Sequence, residues 1–291
     1  MDGSAQSLKA AILRQLHLGP EILVLVNAWD AASAALFAKC GSKAIATASA
    51  GVAFALGYPD GEQIPRDEML AMVRHIARVV DLPVTADIEA GYAIEPGGVA
   101  QTVRELISAG AVGLNLEDAV DGSLLDRGLQ ILRIQAVREA GRSAGVPIVI
   151  NARTDVFLCK DGGSARLQDA IDRACAYRAA GADCLFVPGV SDRKLIAALV
   201  KGIDGPLNIL ASEGTPPIPE LAQLGVRRVS IGSGAMRASL WRARSIADQL
   251  LRQGPYSCFL DGAIPFGEMN SLFGGIKETA ILPVDAQEKG E

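Results

Sequence analysis

The amino-acid sequence predicts an α/β protein folded as a (β/α)8 barrel, or TIM barrel. Short runs rich in β-branched residues alternate along the chain with longer stretches of helical periodicity, and each kind occurs eight times. Most of the helical stretches end near a glycine that is soon followed by the next short run. An open doubly wound sheet usually has about five to seven strands and a glycine-rich fingerprint, and no GxGxxG motif follows the first run here.

The eight short runs are bounded by turn residues, as is typical of buried parallel strands. In chain order, the strands are predicted at residues 22–27, 44–48, 84–88, 112–117, 148–153, 184–187, 207–210 and 228–232. The helices between and after them are predicted at residues 31–39, 66–80, 99–109, 129–144, 165–180, 192–200, 218–223 and 235–252. Asp30 directly precedes the first of these helices, so we expect it to act as the N-cap.

Glycine marks where the predicted helices end. A glycine just past a helix adopts the left-handed conformation that ends the helix and turns the chain back toward the sheet. Five glycines are predicted to do this, namely Gly41, Gly110, Gly145, Gly181 and Gly225. The repeat of this ending supports successive βα units rather than two unrelated halves.

The chain is predicted to contain one barrel domain and a short tail. Residues 1–254 would form the catalytic barrel, and residues 255–291 would follow its last helix. The tail carries Phe259, Ile264, Phe266, Leu272 and Phe273, which is too apolar for a solvated linker. We expect the tail to pack on its own barrel or on a neighbouring one.

Composition excludes several functional classes. The 28 Lys and Arg residues against 33 Asp and Glu residues give a net charge of −5, and no basic cluster suggests a nucleic-acid partner. No apolar run is long enough for a membrane span, and no signal peptide is recognisable at the first residues. The five cysteines lack CxxC spacing, which predicts free thiols and a cytoplasmic location. The two histidines, His17 and His75, both lie in helical patterns, so histidine-based catalysis or zinc binding is not expected.

Catalytic groups of a (β/α)8 barrel lie at the carboxyl ends of its strands. The third predicted strand ends in Asp87 and Glu89, which share a face because they are two residues apart. Glu117 ends the neighbouring strand and can approach them. Three carboxylates without histidine form an all-oxygen site, which favours Mg²⁺ held partly through water, with Mn²⁺ as the alternative.

Arg153 ends the fifth predicted strand, whose interior is apolar. An arginine there must pair with acids or with an anionic substrate, and a bidentate carboxylate clamp is a common use of its planar fork. A structural ion pair with Asp155 or Glu117 is the alternative interpretation.

Five ordered motifs carry a resemblance to a known family. They are Asn27-Ala28-Trp29-Asp30-Ala31, Tyr58-Pro59-Asp60-Gly61, Asp87-Ile88-Glu89-Ala90-Gly91-Tyr92, Asn115-Leu116-Glu117-Asp118 and Asn151-Ala152-Arg153-Thr154-Asp155. In order and spacing they resemble the isocitrate lyase / phosphoenolpyruvate mutase superfamily over about residues 20–250. Members of that superfamily bind an α-keto or 2-hydroxy carboxylate with Mg²⁺ inside a (β/α)8 barrel. Their last helix is commonly exchanged between neighbouring barrels in dimers or tetramers.

The resemblance implies a role for individual residues. Asp87, Glu89 and Glu117 would be the carboxylates around the metal, and Arg153 would hold the substrate. The remaining positions would contact the small carboxylate substrate: Asp60 as a further acid, Ser49, Ala50 and Gly51 as a small-residue turn with free N–H groups, Trp29 as an aromatic wall, and Asn115 in place of the family's usual histidine. Independently of the resemblance, the position of Asn208 at the end of the seventh predicted strand makes it a further candidate for substrate contact.

One loop departs from the family pattern and narrows the predicted reaction. Family lyases that act on isocitrate or methylisocitrate carry Lys-Lys/Arg-Cys-Gly-His after the fourth strand, whereas residues 119–126 contain no Cys, Lys or His. Ser123 is the only group there comparable to a proton donor, and glycine beside it suits a mobile lid.

The sequence therefore predicts a Mg²⁺-dependent carbon–carbon lyase or decarboxylase that works through a pyruvate-type enolate, in a homodimer or homotetramer. Phosphonopyruvate P–C chemistry, as a mutase or a hydrolase, is one alternative. A non-catalytic carboxylate-binding barrel is the other.

Overall fold

The computed structural model describes residues 3–159, 165–252 and 254–273. Residues 274–291, about half of the predicted tail, lie outside the described residues. Within the described part, the strands are β1 Leu23–Leu25, β2 Asn27–Ala28, β3 Ile45–Thr47, β4 Val84–Asp87, β5 Gly113–Glu117, β6 Ala119–Val120, β7 Ser123–Leu124, β8 Val149–Arg153, β9 Cys184–Phe186, β10 Leu207–Leu210 and β11 Arg228–Ser230. The helices are α1 Gly3–Leu18, α2 Ala31–Lys39, α3 Ser49–Ala55, α4 Arg66–Val79, α5 Pro96–Ser108, α6 Arg127–Ser143, α7 Arg166–Ala179, α8 Arg193–Gly202, α9 Ile218–Leu224, α10 Gly234–Arg252, α11 Ser257–Leu260 and α12 Phe266–Ser271.

Parallel strands form one sheet in the order β1-β11-β10-β9-β8-β5-β4-β3-β2. The first predicted strand is divided into β1 and β2, so both ends of the sheet lie in the same short stretch of chain and the sheet curls into a barrel. Each of the eight predicted strands is found, and the (β/α)8 prediction is confirmed. β6 and β7 form a separate antiparallel hairpin directly after β5.

Local sequence signals act as expected at the helix ends. The side chain of Asp30 accepts a hydrogen bond from the N–H of Ser33 at 2.7 Å, and the Ser33 hydroxyl accepts from the N–H of Asp30 at 3.1 Å, which forms a capping box. All five glycines predicted to follow helices have positive φ, from 69° at Gly145 to 115° at Gly181. Helices α1 and α3 are not among the helices predicted from the sequence.

Helix α1 covers the amino ends of the strands. Its Gln6 donates hydrogen bonds to the carbonyls of Ile107 and Ala111, just before β5, and its Arg14 pairs with Asp183, just before β9. Leu13 is fully buried against the barrel floor. A Cβ added to Gly113 would lie 2.7 Å from the Leu13 side chain, so glycine is required for this close approach.

Asn27 joins the two ends of the sheet. Its side-chain nitrogen donates to the carbonyl of Thr47 at the end of β3. Its side-chain oxygen accepts from the N–H groups of Ile231 and Gly232 just past β11, each at 3.0 Å. One buried amide therefore satisfies backbone groups on both sides of the strand interruption.

Apolar side chains remain exposed on α10 and on the segment that follows it. The only buried residue of α10 is Met236, whereas Trp241 is 61% exposed and Leu251 is 87% exposed. In the following segment, Tyr256 and Phe266 are also exposed. None of the described helices is both long and apolar enough to cross a membrane.

His17 generates a prediction on the pH dependence of stability. It is 1% exposed, Nδ1 lies 2.8 Å from the carbonyl of Leu13, and Nε2 faces the guanidinium of Arg228 at 3.4 Å. Burial, with the positive charge of Arg228 next, lowers the pKa of His17 to about 4. The unfolded chain, with a histidine pKa of about 6.5, therefore binds a proton between pH 6.5 and 4 that the folded chain does not.

We expect this difference to reduce the free energy of unfolding by up to about 3 kcal/mol as the pH falls through that range. Denaturant unfolding at a series of pH values should show a shallower decline for His17→Gln than for the wild type. His75→Gln, which changes an exposed residue, is the control and should leave the decline unchanged. A wild-type slope in His17→Gln would contradict the assignment.

The exposed apolar surface of α10 and residues 254–273 generates a prediction on assembly. We propose that a second copy of the chain covers it, since monomers rarely expose such a surface. Light scattering at micromolar concentration should give a dimer or tetramer for the wild type and a smaller species for Trp241→Glu. Leu132→Glu, at an exposed leucine on α6, is the matched control and should assemble normally. A monomeric wild type would refute the proposal.

Candidate active site

The strand ends bring acids and one arginine together at the carboxyl end of the barrel. Asp87 ends β4, Glu117 ends β5 and Arg153 ends β8. Glu117 and Arg153 are direct neighbours across β5 and β8, and Glu117 Oε2 lies 2.7 Å from the guanidinium. Glu89 follows β4 by two residues and is 4% exposed. The acids that the sequence assigns to the metal and the arginine that it assigns to the substrate thus share one site.

Arg153 is held on two sides by carboxylates. Nε and one terminal nitrogen donate to the two oxygens of Asp155 at 2.6 and 2.7 Å, and the other terminal nitrogen pairs with Glu117. The guanidinium also lies 5.8 Å from the centre of the Phe186 ring. Both ion pairs that the sequence left as alternatives are present, yet one N–H remains on each terminal nitrogen for a further acceptor. Burial disfavours the charge, but Glu117 and Asp155 outweigh it and raise the pKa of Arg153, so the group stays protonated.

Glu89 lies in a turn of unusual backbone conformation. Its φ is 50°, and Gly91 and Tyr92 follow at 89° and 57°. A non-glycine residue in this region costs on the order of 1–2 kcal/mol, which surrounding hydrogen bonds must offset. Glu89 Oε2 accepts from the N–H of Glu62 at 2.7 Å, whereas Oε1 is buried and has no hydrogen-bond partner among the described residues.

The acids of the site are short of compensating charge. Burial first, with Asp87 next, raises the pKa of Glu89 to about 8. Burial also raises the pKa values of Asp87 and Glu117, although the guanidinium of Arg153 acts in the opposite direction on both. Such shifts show that the ionised forms are disfavoured as the site stands. A bound cation would restore them.

The donor set fits a hard divalent cation held partly through water. All its candidate ligands are carboxylate oxygens, and the unpartnered Oε1 of Glu89 is a buried acceptor without a donor. No three acids, histidines or cysteines of the described residues are grouped closely enough to ligate one ion directly. Asp87, Glu89 and Glu117 therefore suit an ion that keeps several of its waters, as Mg²⁺ usually does.

Glu62 is a site residue that the sequence analysis did not select. Its N–H contacts Glu89, and its own Oε1 accepts from the N–H of Tyr92 at 2.9 Å. Asp60, which was selected, lies on the exposed part of the same loop, and its charge acts on both Asp87 and Glu89. The available signal in the sequence was the position of Glu62 two residues after Asp60, with Gly61 between them; in the structure, Gly61 and Glu62 both have positive φ.

The expected small-residue turn is the first turn of α3. The Ser49 hydroxyl donates to Asp87 Oδ2 at 3.2 Å, and no side chain caps the first N–H groups of the helix. A Cβ on Gly51 would lie 3.1 Å from Cβ of Trp29, so glycine lets this turn approach the aromatic wall. Trp29 itself packs edge-to-face on Phe37.

The two predicted asparagines lie in the barrel interior. Asn115 Oδ1 accepts from Asn151 at 2.8 Å and from Arg228 at 3.2 Å, which directs this oxygen inward. Asn208 Oδ1 lies 3.4 Å from the Ser230 hydroxyl, and its buried Nδ2 has no partner among the described residues. Their contact with substrate stays a prediction.

A cavity of about 280 Å³ lies above the acids. Its walls include Glu62, Glu89, Glu117 and Asp155, together with Asp121 and Gly122 from the tip of the β6–β7 hairpin. The hairpin after Glu117 therefore lies over the space in which a substrate would sit.

Comparison with known proteins identifies the family. Residues 13–251 match the family model described as phosphoenolpyruvate phosphomutase. The chain belongs to this family. It is also a member of the wider phosphoenolpyruvate mutase/isocitrate lyase superfamily that the sequence motifs indicated.

Three relatives illustrate the range of this superfamily. An uncharacterised protein of Mycobacterium tuberculosis is 36% identical over 248 residues, which cover 83% of this chain and 92% of the relative. Oxaloacetate decarboxylase of Rhodopseudomonas palustris strain BisB5 is 34% identical over 208 residues, with 68% and 69% covered. The crystal structure of a 2,3-dimethylmalate lyase superposes with a TM-score of 0.81 at 26% identity, with 91% and 94% covered.

The β6–β7 hairpin of this member of the phosphoenolpyruvate mutase family contains a tight turn. Val120 and Ser123 pair across the hairpin, and Asp121 and Gly122 at its tip have φ of 50° and 75°. Positive φ at both central residues is the arrangement of a type I′ turn. Ser123 is exposed and does not line the cavity.

The base of the hairpin is fixed by Asp118 and its neighbours. The N–H of Leu125 donates to the carbonyl of Asp118 at 2.7 Å, and Arg173 donates to the carbonyl of Leu125 at 3.1 Å. The fully buried Asp118 carboxylate accepts from the Tyr177 hydroxyl at 2.6 Å and from the N–H of Asp155 at 2.9 Å. Asp118 thus links the hairpin to the strand end that carries Arg153.

These positions generate a prediction for Ser123. Because Ser123 is exposed, is not among the residues that line the cavity and has no basic neighbour in the hairpin, we expect Ser123→Ala to leave the single-turnover rate nearly unchanged. A proton-donating serine would instead lose on the order of 10² to 10⁴ in rate. Rapid-quench measurement of the chemical step separates the two, and a hundredfold loss would show that Ser123 takes part in the reaction.

Proposed function

We propose that the protein is a Mg²⁺-dependent carbon–carbon lyase or decarboxylase that acts on a small α-keto or 2-hydroxy dicarboxylate. The observation that carries this proposal is an arginine that is ion-paired with Glu117 in a site that also holds Asp87 and Glu89, whose buried Oε1 has no donor among the described residues. Such a site offers a cation position beside a substrate-binding guanidinium. A carboxylate with an adjacent oxygen is the ligand that both would share.

The comparisons support carbon–carbon cleavage. Oxaloacetate decarboxylase and 2,3-dimethylmalate lyase are both named for reactions that break a bond between carbons beside a carboxylate. In each case the electron pair of the broken bond must be accommodated as an enolate. The common requirement is positive charge held where the enolate oxygen forms.

The chain's own residues have distinct tasks in this proposal. Asp87, Glu89 and Glu117 would hold Mg²⁺, which when bound supplies positive charge to the substrate oxygens. Arg153 directs its two remaining N–H groups at the substrate and stabilises the developing negative charge. The first N–H groups of α3 would bind the far carboxylate, and the hairpin would exclude water.

Protonation of the enolate carbon would use water. The hairpin of this chain offers no cysteine, lysine or histidine, and Ser123 lies outside the cavity lining. Asp60, which is exposed on the loop that carries Glu62, would contact the substrate. Solvent admitted when the hairpin opens would then complete the reaction.

Phosphonopyruvate chemistry is the second candidate, because the matching family model is described as phosphoenolpyruvate phosphomutase. A phosphonate group carries more negative charge than a carboxylate. Among the described residues, Arg153 is the one cationic side chain that forms an ion pair with an acid of the site, and its fork is already shared with Asp155 and Glu117. This charge balance favours the carboxylate substrate.

A substrate and metal experiment tests the proposal. With Mg²⁺, we expect pyruvate release from oxaloacetate or a 2-methylmalate-type acid above the rate with metal alone, and loss of that release in EDTA with recovery on adding Mg²⁺ or Mn²⁺. Asp87→Ala should lower the rate by roughly 10²-fold or more, because it removes a metal carboxylate. Glu139→Ala, at an exposed acid on α6, is the control.

Full turnover in EDTA would refute the role of the metal. Pyruvate release from phosphonopyruvate, with none from the other two substrates, would show that the protein cleaves a P–C bond instead of a C–C bond. No release from any of the three substrates would refute the proposed reaction class.

A further inference from the structure

Two buried polar side chains of α6 lie directly behind the acids. Gln130 and Arg133 are one helical turn apart, and both are 0% exposed. No carboxylate of the described residues lies within ion-pair distance of Arg133. A buried guanidinium without a direct anionic partner is costly, so its hydrogen bonds must account for its presence.

The guanidinium of Arg133 holds the left-handed turn that carries Glu89. One terminal nitrogen donates to the carbonyl of Ala90 and, at 3.1 Å, to the carbonyl of Ala93. The Thr102 hydroxyl donates to the intervening carbonyl of Gly91 at 3.0 Å. The carbonyls of the turn are therefore satisfied from the helices behind it, while its acid side chain faces the cavity.

Gln130 connects Arg133 to the strand that carries Glu117. Arg133 donates through its second terminal nitrogen to Gln130 Oε1 at 2.7 Å, and Gln130 Nε2 donates to the carbonyl of Glu117 at 3.2 Å. The N–H of Glu117 in turn donates to the carbonyl of Glu89 at 2.9 Å. A closed set of hydrogen bonds thus fixes the peptide planes at both acids.

We propose that Gln130 and Arg133 are positioning residues that hold Glu89 and Glu117 in the mutual orientation needed to bind the divalent cation. The inference rests on the proposed function for the existence of that cation. The fork of arginine is required, because its two terminal nitrogens serve Gln130 and the turn at the same time, whereas a lysine ammonium is a single point of donation. Groups that orient metal ligands in this way typically change metal affinity by about 10- to 100-fold when removed.

Mn²⁺ binding followed by electron paramagnetic resonance tests the proposal without any substrate. Gln130→Leu removes the link to Glu117 at similar volume, and Arg133→Lys keeps the charge but loses the fork. We expect each variant to bind Mn²⁺ about 10- to 100-fold more weakly than the wild type. Thermal unfolding of each variant is measured in parallel.

Arg138→Lys is the matched control. Arg138 lies on the same helix and also donates to backbone carbonyls, those of Ile148 and Gly181, and to Asp183 at the opposite end of the barrel. It should lower the unfolding temperature and leave Mn²⁺ affinity unchanged.

The outcomes separate this inference from the function on which it rests. Wild-type Mn²⁺ affinity in both Gln130→Leu and Arg133→Lys would overturn the positioning role and leave the metal site standing. Loss of folding in both would also overturn it, because the pair would then serve stability alone. A wild-type protein that binds no Mn²⁺ would refute the metal site and the positioning role together.

Discussion

The ion pair between Glu117 and Arg153 is the interaction on which the site depends. It forms because β5 and β8 are neighbours in register, so that the last residues of the two strands face each other. Without the guanidinium, Glu117 would be a buried acid surrounded by Asp87, Glu89 and Asp155. Removing one member of a buried pair leaves an uncompensated charge that costs several kcal/mol, roughly 3–5. The register of β5 and β8 therefore determines which acid is ion-paired with Arg153 at the carboxyl end of the barrel.

Buried side chains also hold the backbone of the turn that carries Glu89. Glu89, whose φ is positive, lines the cavity, and Tyr92 in the same turn also has a left-handed conformation. Glu62 satisfies the N–H of Tyr92, and Thr102 satisfies the carbonyl of Gly91. Asn27 performs a similar task at the sheet closure. At each place, a buried side chain satisfies backbone groups that an irregular segment would otherwise leave unpaired.

The features that the sequence predicted correctly are those governed by local periodicity and by position along a strand. Eight apolar runs, together with the glycines that follow five of the predicted helices, suffice for the barrel, and strand ends suffice to group Asp87, Glu117 and Arg153. Glu62 was missed because its approach depends on two successive positive φ values in a loop. Gln130 and Arg133 are polar residues within a helical pattern, and polar residues in such a pattern are usually predicted to be exposed to solvent. Only the packing of α6 against the turn shows that both are buried.

The hairpin over the cavity has a consequence for the energetics of substrate capture. A long disordered lid would have to lose backbone conformational entropy at about 1–2 kcal/mol per residue when it closed. Here the segment is already paired across Val120 and Ser123, and its two ends are tied together at Asp118 and Leu125. A closing movement of this segment would therefore tilt a preformed ribbon about a fixed base. Under the proposed function, more of the substrate's intrinsic affinity would then be left to distinguish one small carboxylate from another.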